Sequence, residues 1–284
     1  MKPSTSLDYH RRIDRVMRHI GDHLDEALDL DSLAMISCFS PCHFHRIYAG
    51  ITGETVAETL RRLRLSRAAG DLVQGERPIA GIAERAGYGS VAAFTRAFQS
   101  GYGITPAAYR QRGFLVSPLP LQPDPETGMY PVTIDDRPAT RLAAFPHRGS
   151  YMEIGTAFDR MINWAISRNL LSETCRMIGV YYDDPQAVAE KDLRSDACLS
   201  VGPEIKPEGD MRVIDLAAGR HAVLLHRGPY GELGKAYAWL YGTWLPQSGE
   251  EAADRPVHEV YLNNPRDLPP AEWLTEVCLP LVAR

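Results

Sequence analysis

The pentapeptide HRGSY at residues 147–151 returns as HRGPY at residues 226–230, 79 positions later. Repetition at a fixed spacing is the mark of duplicated structural units. The likeness runs upstream, TRLAAFPHRGSY (140–151) against GRHAVLLHRGPY (219–230). Downstream, IGTAFDRMINWA and LGKAYAWLYGTW keep one apolar spacing, with Phe158 matching Tyr237 and Ile162 matching Tyr241. At an offset of 80, IGVYYDDP (178–185) becomes HEVYLNNP (258–265). Each unit reads as strand, glycine turn, amphipathic helix, strand. Neither copy is large enough to bury a sheet face alone, so the two are expected to pair into one α+β domain with an antiparallel sheet and a pseudo-twofold axis.

The front of the chain carries a different duplication. Residues 8–113 read as helices throughout. A short helix starting near the cap candidate Asp31, a turn at Cys38–Ser40 and a second helix opened by Ser40-Pro41 give a helix-turn-helix. On the second helix Phe44, Ile47 and Tyr48 are spaced to face a core, while Cys42, His45 and Arg46 share the opposite face. Fifty residues later Ser90, Phe94, Arg96, Phe98 and Gly103 repeat Ser40, Phe44, Arg46, Tyr48 and Gly53. The connecting TVAETLRRLRLSRAAGDLVQ reads as one helix of about 28 Å. That length suits two recognition helices set about 34 Å apart, in successive major grooves.

Composition agrees with two domains. The chain has 284 residues, 44% of them hydrophobic, and a net charge of −5. Residues 1–113 hold fifteen Lys and Arg against twelve Asp and Glu, a net +3, and fourteen of the fifteen are arginine; the remainder carries −8. A basic front and an acidic rear point to a nucleic-acid contact confined to the front. Between them FLVSPLPLQPDPETGMYP, with five prolines, predicts a stiff extended linker. The expected division is 1–113, a linker at 114–128, and 129–284. No apolar run is long enough to span a bilayer, and the N-terminus lacks a signal-peptide pattern, so the expected location is cytoplasmic, without membrane contact. Five scattered cysteines suggest no disulfide framework. His43 and His45 point to different faces of their helix, so Cys38, Cys42, His43 and His45 are not taken as a metal site. No metal and no cofactor is expected.

ISCFSPCHFHRIYAGITGET and AGYGSVAAFTRAFQSGYGITPAAYR resemble the first and second helix-turn-helix signatures of the AraC/XylS transcription regulators. The resemblance implies double-stranded DNA as partner, with RNA polymerase as a further one, and recognition helices at 41–49 and 90–100. It implies DNA contacts at Ser40, Cys42, His45 and Arg46 in the first, and at Ser90, Val91, Ala92, Thr95 and Arg96 in the second. Val91 and Ala92 can touch a thymine methyl but cannot hydrogen-bond a base edge. The first helix is therefore expected to discriminate sequence and the second to grip backbone, helped by Arg61, Arg62, Arg64 and Arg67.

The rear half resembles the GyrI-like effector-binding domain, through RMIGVYYDDP, HRGPYGELGKAYAWLYGTWLPQSG and PVHEVYLNNP. The resemblance implies a small, amphipathic or cationic effector in an aromatic cleft, with Glu259 as the acid on the late strand. The residues suit that role. Glu259 and Tyr261 point to one face of their strand, and a mid-strand carboxylate is costly to bury unless paired. Its counterpart in the first repeat is Gly179, so a void is expected to face the acid. Tyr151, Tyr182, Tyr230, Trp239, Tyr261 and Trp273 are the candidate walls for a cation. A structural ion pair of Glu259 with Arg220, His221 or another cation is the alternative. The chain is read as a ligand-responsive regulator without catalytic residues. A GyrI-like hydrolase using Glu259 with Tyr261 or Tyr151, or a drug-sequestering protein fused to a DNA anchor, is the competing function.

Overall fold

The computed structural model describes residues 3–115, 118, 130–172 and 174–283. Most of the expected linker at 114–128 lies outside the described residues. Seven helices come first: α1 (Pro3–Asp22), α2 (Leu30–Ser37), α3 (Pro41–Thr52), α4 (Val56–Gln74), α5 (Ile79–Arg85), α6 (Val91–Tyr102) and α7 (Pro106–Arg112). Their ends follow capping chemistry. Asp29, not Asp31, caps α2, its carboxylate accepting from the Ser32 amide at 3.0 Å. Thr55 and Glu58 close a reciprocal capping box at the start of α4. Ser90 caps α6 through the Ala93 amide, but Ser40, its repeat mate, makes no such bond at α3.

The two helix-turn-helix units are packed differently. The second closes on its own core, with Leu65, Leu72, Ile82, Phe94, Phe98 and Tyr109 buried together. Phe98 stacks on Tyr102 at 4.6 Å and meets Tyr109 edge-on at 5.2 Å. The first has no core of its own. Tyr9, Ile13, Phe44, Ile47 and Tyr48 run without a break into Leu240, Tyr241 and Leu245 of the rear half.

The rear half is one eight-stranded antiparallel sheet. Its strands are β1 (Val132–Arg137), β2 (Thr140–Arg148), β3 (Met177–Tyr181), β4 (Arg194–Ser200), β5 (Arg212–Leu216), β6 (Gly219–Arg227), β7 (Val257–Tyr261) and β8 (Leu274–Pro280), in the order β1-β6-β8-β7-β3-β4-β2-β5. The order reads the same from either edge once repeat mates are equated. Each repeat lends its first strand to the other, β1 pairing β6 and β5 pairing β2. At the centre β3 and β7 pair with Gly179 opposite Glu259, so the pseudo-twofold axis passes between the two and the acid lies beside it.

Helix α8 (Gly155–Ser167) covers the first repeat. In the second, α9 (Leu233–Trp239) opens into a π-helical turn at Leu240–Trp244 before the short α10 (Leu245–Ser248). Wide turns of this kind bulge a helix outward, and α3 lies against this one. A Cβ added to Gly50 would stand 2.6 Å from the Gly242 Cα. Only glycine at both positions lets the two backbones approach so closely.

Candidate ligand site and DNA-reading helices

Glu259 is buried, 4% exposed, at the middle of the sheet. Neither Arg220 nor His221 pairs with it: Arg220 binds Glu250, and His221 binds the Gly219 carbonyl. Its partners are hydroxyls. Tyr237 donates to Oε1 at 2.8 Å and Tyr261 to Oε2 at 2.9 Å. Tyr181 and Tyr261, mates under the 80-residue repeat, join hydroxyls at 2.7 Å across the axis. Burial raises the Glu259 carboxyl above its usual range, against the pull of these hydroxyls and of the Arg46 charge. Burial, reinforced by the acid, holds Tyr237 and Tyr261 far above the usual phenol value, so they act as donors.

Aromatic rings continue outward from the acid. Tyr261 meets Phe158 and Tyr230 edge-on, each at 5.4 Å, and Tyr230 lies 4.6 Å from Trp273. Tyr151 meets Tyr181 at 4.8 Å and hydrogen-bonds the Asp183 carbonyl. Burial pushes Tyr151 and Tyr230 up to about 12. Tyr151 and Tyr230 are only partly buried.

The structure thus gathers Tyr151, Tyr230, Tyr261 and Trp273 around Glu259, but not all the candidate walls. Tyr182 lies on the other sheet face, where its hydroxyl binds Asp196 at 2.5 Å. Alternation along the strand separates it from the acid. Trp239 is buried against Tyr130 and lines the core. The void expected at Gly179 is filled, since a Cβ there would meet Tyr181 and the Tyr261 hydroxyl, each at 2.8 Å. Tyr181 and Tyr237, absent from the expected set, hold the centre of the site. The repeated histidines play the same structural part in each copy, since the His147 and His226 rings each bond the carbonyl three residues on, those of Ser150 and Pro229.

The two helices expected to read DNA present unlike faces. On α6, Ser90, Val91, Ala92 and Arg96 are exposed and Thr95 is half-buried. On α3 the polar face, expected to be open, meets the rear domain. Ser40 donates to Asp254 at 2.6 Å, His45 Nδ1 lies 2.8 Å from Asp184, and Arg46 donates to the Asp183 carbonyl at 3.0 Å. The Arg46 guanidinium sits 5.1 Å from the centre of the Tyr237 ring and 5.7 Å from that of Tyr241. Cys42 remains exposed beside Asp254.

His43 is fully buried beneath this contact. Its Nδ1 is 2.8 Å from the Tyr241 hydroxyl and its Nε2 is 2.9 Å from the Ala253 carbonyl. Burial and the Arg46 charge lower it to about 4. A neutral ring that donates from Nε2 and accepts at Nδ1 satisfies both bonds. Among the described residues no cluster of His, Cys, Asp and Glu is arranged to hold a metal.

Three of the four arginines expected near phosphates are engaged within the protein. Arg62 forks onto Glu54, Arg64 binds the Leu24 carbonyl, and Arg67 reaches Asp25 and the Arg85 carbonyl. Arg61 is exposed. No helix among the described residues is long and apolar enough to cross a membrane.

Comparison with known proteins matches this architecture. Residues 130–282 fit the GyrI-like small molecule binding domain, and residues 33–112 fit a helix-turn-helix domain. The chain is 34% identical over 106 residues to the regulatory protein SoxS of Salmonella typhimurium, covering 37% of this chain and 99% of SoxS. It is 35% identical over 102 residues to the HTH-type transcriptional regulator YbfP of Bacillus subtilis, covering 36% of this chain and 35% of that one. Among solved structures, the C-terminal domain of EcmrR superposes with a TM-score of 0.49 at 20% identity, over 55% of this chain and all of that one. The chain therefore belongs to the GyrI-like small molecule binding family and is, through its front half, an AraC-type helix-turn-helix transcription regulator.

Proposed function

We propose that the effector is a small aromatic or amphipathic cation, seated on the ring faces around Glu259, and that its binding alters how the front half occupies DNA. The observation that carries this is the isolated acid: a buried carboxylate whose described hydrogen-bond partners are neutral hydroxyls, walled by aromatic rings. A cation entering there gains charge pairing with an acid in low dielectric and attraction to the ring faces, worth about 2 kcal/mol or more when desolvated. The DNA contacts proposed are Ser40, Cys42, His45 and Arg46 on α3, and Ser90, Val91, Ala92, Thr95 and Arg96 on α6. The proposed domain division is 1–113, 114–128 and 129–284, with action in the cytoplasm and RNA polymerase as a further partner.

We read the chain as a regulator rather than an enzyme. Each Glu259 oxygen already accepts from a tyrosine, and those tyrosines are held protonated, which suits binding better than proton transfer. A gel-shift titration on the DNA upstream of its own coding sequence, with and without a lipophilic cation, tests the function. Salt-sensitive binding that shifts with the cation in wild type, and not in Glu259→Gln, is expected. Binding without salt dependence, or a cation response that survives Glu259→Gln, would overturn it.

A further inference from the structure

Position 46 has an internal control in this chain. Its repeat mate, Arg96, is exposed on α6, so the helix-turn-helix scaffold does not itself require this arginine to be covered. Arg46 is covered because the rear domain takes hold of it. Its guanidinium lies over Tyr237, the residue that donates to Glu259 Oε1. It occupies an aromatic face within the field of the buried acid, the two features that would hold a foreign cation. The rest of the same face is engaged as well, with His45 on Asp184 and Ser40 on Asp254.

Building on the cation site proposed above, we infer that Arg46 is a tethered occupant of that site, so that a diffusible cation and the docked α3 exclude one another. In the docked form the proposed base-reading face of α3 is spent on Asp183, Asp184 and Asp254, and only α6 is open to DNA. A cation that displaces Arg46 frees α3. DNA that captures α3 empties the cation's seat. Effector and DNA then favour the same undocked state, and each strengthens the other by the same factor. The docked arginine also lowers the apparent affinity for the cation by the fraction of molecules undocked.

The test uses benzylguanidinium, which carries the head group of Arg46 on an aromatic ring, with the full chain as wild type, Arg46→Met, Asp184→Asn and Glu259→Gln. Affinity is read by calorimetry, and α3 docking by hydrogen exchange over residues 41–52. If about one molecule in ten is undocked, Arg46→Met binds about tenfold more tightly than wild type. Saturating cation speeds exchange of the α3 amides in wild type. Asp184→Asn loosens the docking without touching the acid or its tyrosines, and carries the same comparison should Arg46→Met fail to fold. Glu259-dependent binding that is no tighter in the loosened variants, with α3 equally protected with and without cation, overturns the tethered-occupant inference alone. Failure of every protein to bind, or binding unaffected by Glu259→Gln, removes the cation site itself and the inference with it.

Discussion

Replacing Gly50 by alanine weighs the docked α3 against the free one. Within a helix, alanine is ordinarily better than glycine by about 1 kcal/mol. Here the new methyl would stand 2.6 Å from the Gly242 Cα and 2.7 Å from its nitrogen. Both are backbone atoms of a helical turn and cannot swing aside as a side chain can. Overpacking of this kind costs about 1–3 kcal/mol, so an α3 obliged to stay docked would lose up to about 2 kcal/mol net. The chain has another course, which is to release α3 and keep the gain in helix preference. The loss is therefore capped at the free energy of docking. Hydrogen exchange over residues 41–52, read beside thermal melting, separates the two contributions. With about one molecule in ten already undocked, we expect those amides to exchange up to about tenfold faster, equivalent to about 1.4 kcal/mol. The melting temperature should fall by a few degrees, at about 2–4 °C per kcal/mol for a chain of this size. Gly242→Ala should act alike, and the double variant should add little, because both remove one contact. A melting temperature raised by helix preference alone, with α3 as protected as before, would refute the close approach and the docking with it.

Three further outcomes are expected. Glu259→Gln should lose at least about tenfold in cation affinity, the scale of one charge-assisted contact, yet melt no lower than wild type at pH 8. Its folded carboxyl is raised above the unfolded value, so the ionised form opposes folding, and the difference should shrink as the pH falls through the folded value; a clear drop in melting temperature at pH 8 contradicts this. His43 is lowered to about 4 against about 6.5 unfolded, so the stability it contributes is complete above 6.5 and lost as the pH falls towards 4. At about 1.4 kcal/mol per unit the loss is on the order of 3 kcal/mol; denaturant titrations should show it in wild type and not in His43→Gln, and parallel curves would count against a buried neutral ring. Arg96→Ala, on the open face of α6, should weaken DNA binding about equally across sequences and reduce the salt slope by about one phosphate contact; an unchanged slope would remove Arg96 from the backbone.

The repeat spacing made the centre of the sheet legible. An offset of 80 matched Gly179 with Glu259, and those residues face each other across the pseudo-twofold axis. The same offset equates Tyr181 with Tyr261, so following the repeat from Tyr261 would have nominated Tyr181. Alternation along β3 would likewise have excluded Tyr182 from the acid's face. The exchange of β1 and β5 between repeats was not legible, because pairing between distant strands leaves no local pattern. Nor was the fate of the α3 polar face, since amphipathic spacing separates polar from apolar faces but cannot tell water from a polar surface elsewhere in the chain.

A clue to that surface lay in the places where the two copies differ. The second repeat has Asn263–Asn264 where the first has Asp183–Asp184, and it is the Asp184 carboxylate that holds His45, while Arg46 is held by the Asp183 backbone carbonyl. The second repeat supplies Glu259 where the first has Gly179, and the first supplies Phe158 where the second has Tyr237, the acid's donor. Matched positions build the sheet twice over. The unmatched ones break its symmetry in two ways, placing one acid, Glu259, beside the axis for a cation and another, Asp184, on one flank for a helix. Arg46 reaches both, since it lies within the charge of Asp184 while its guanidinium lies over Tyr237. One arginine in that position couples the two asymmetries without a relay through the sheet, because whatever competes for Tyr237 competes for α3 as well.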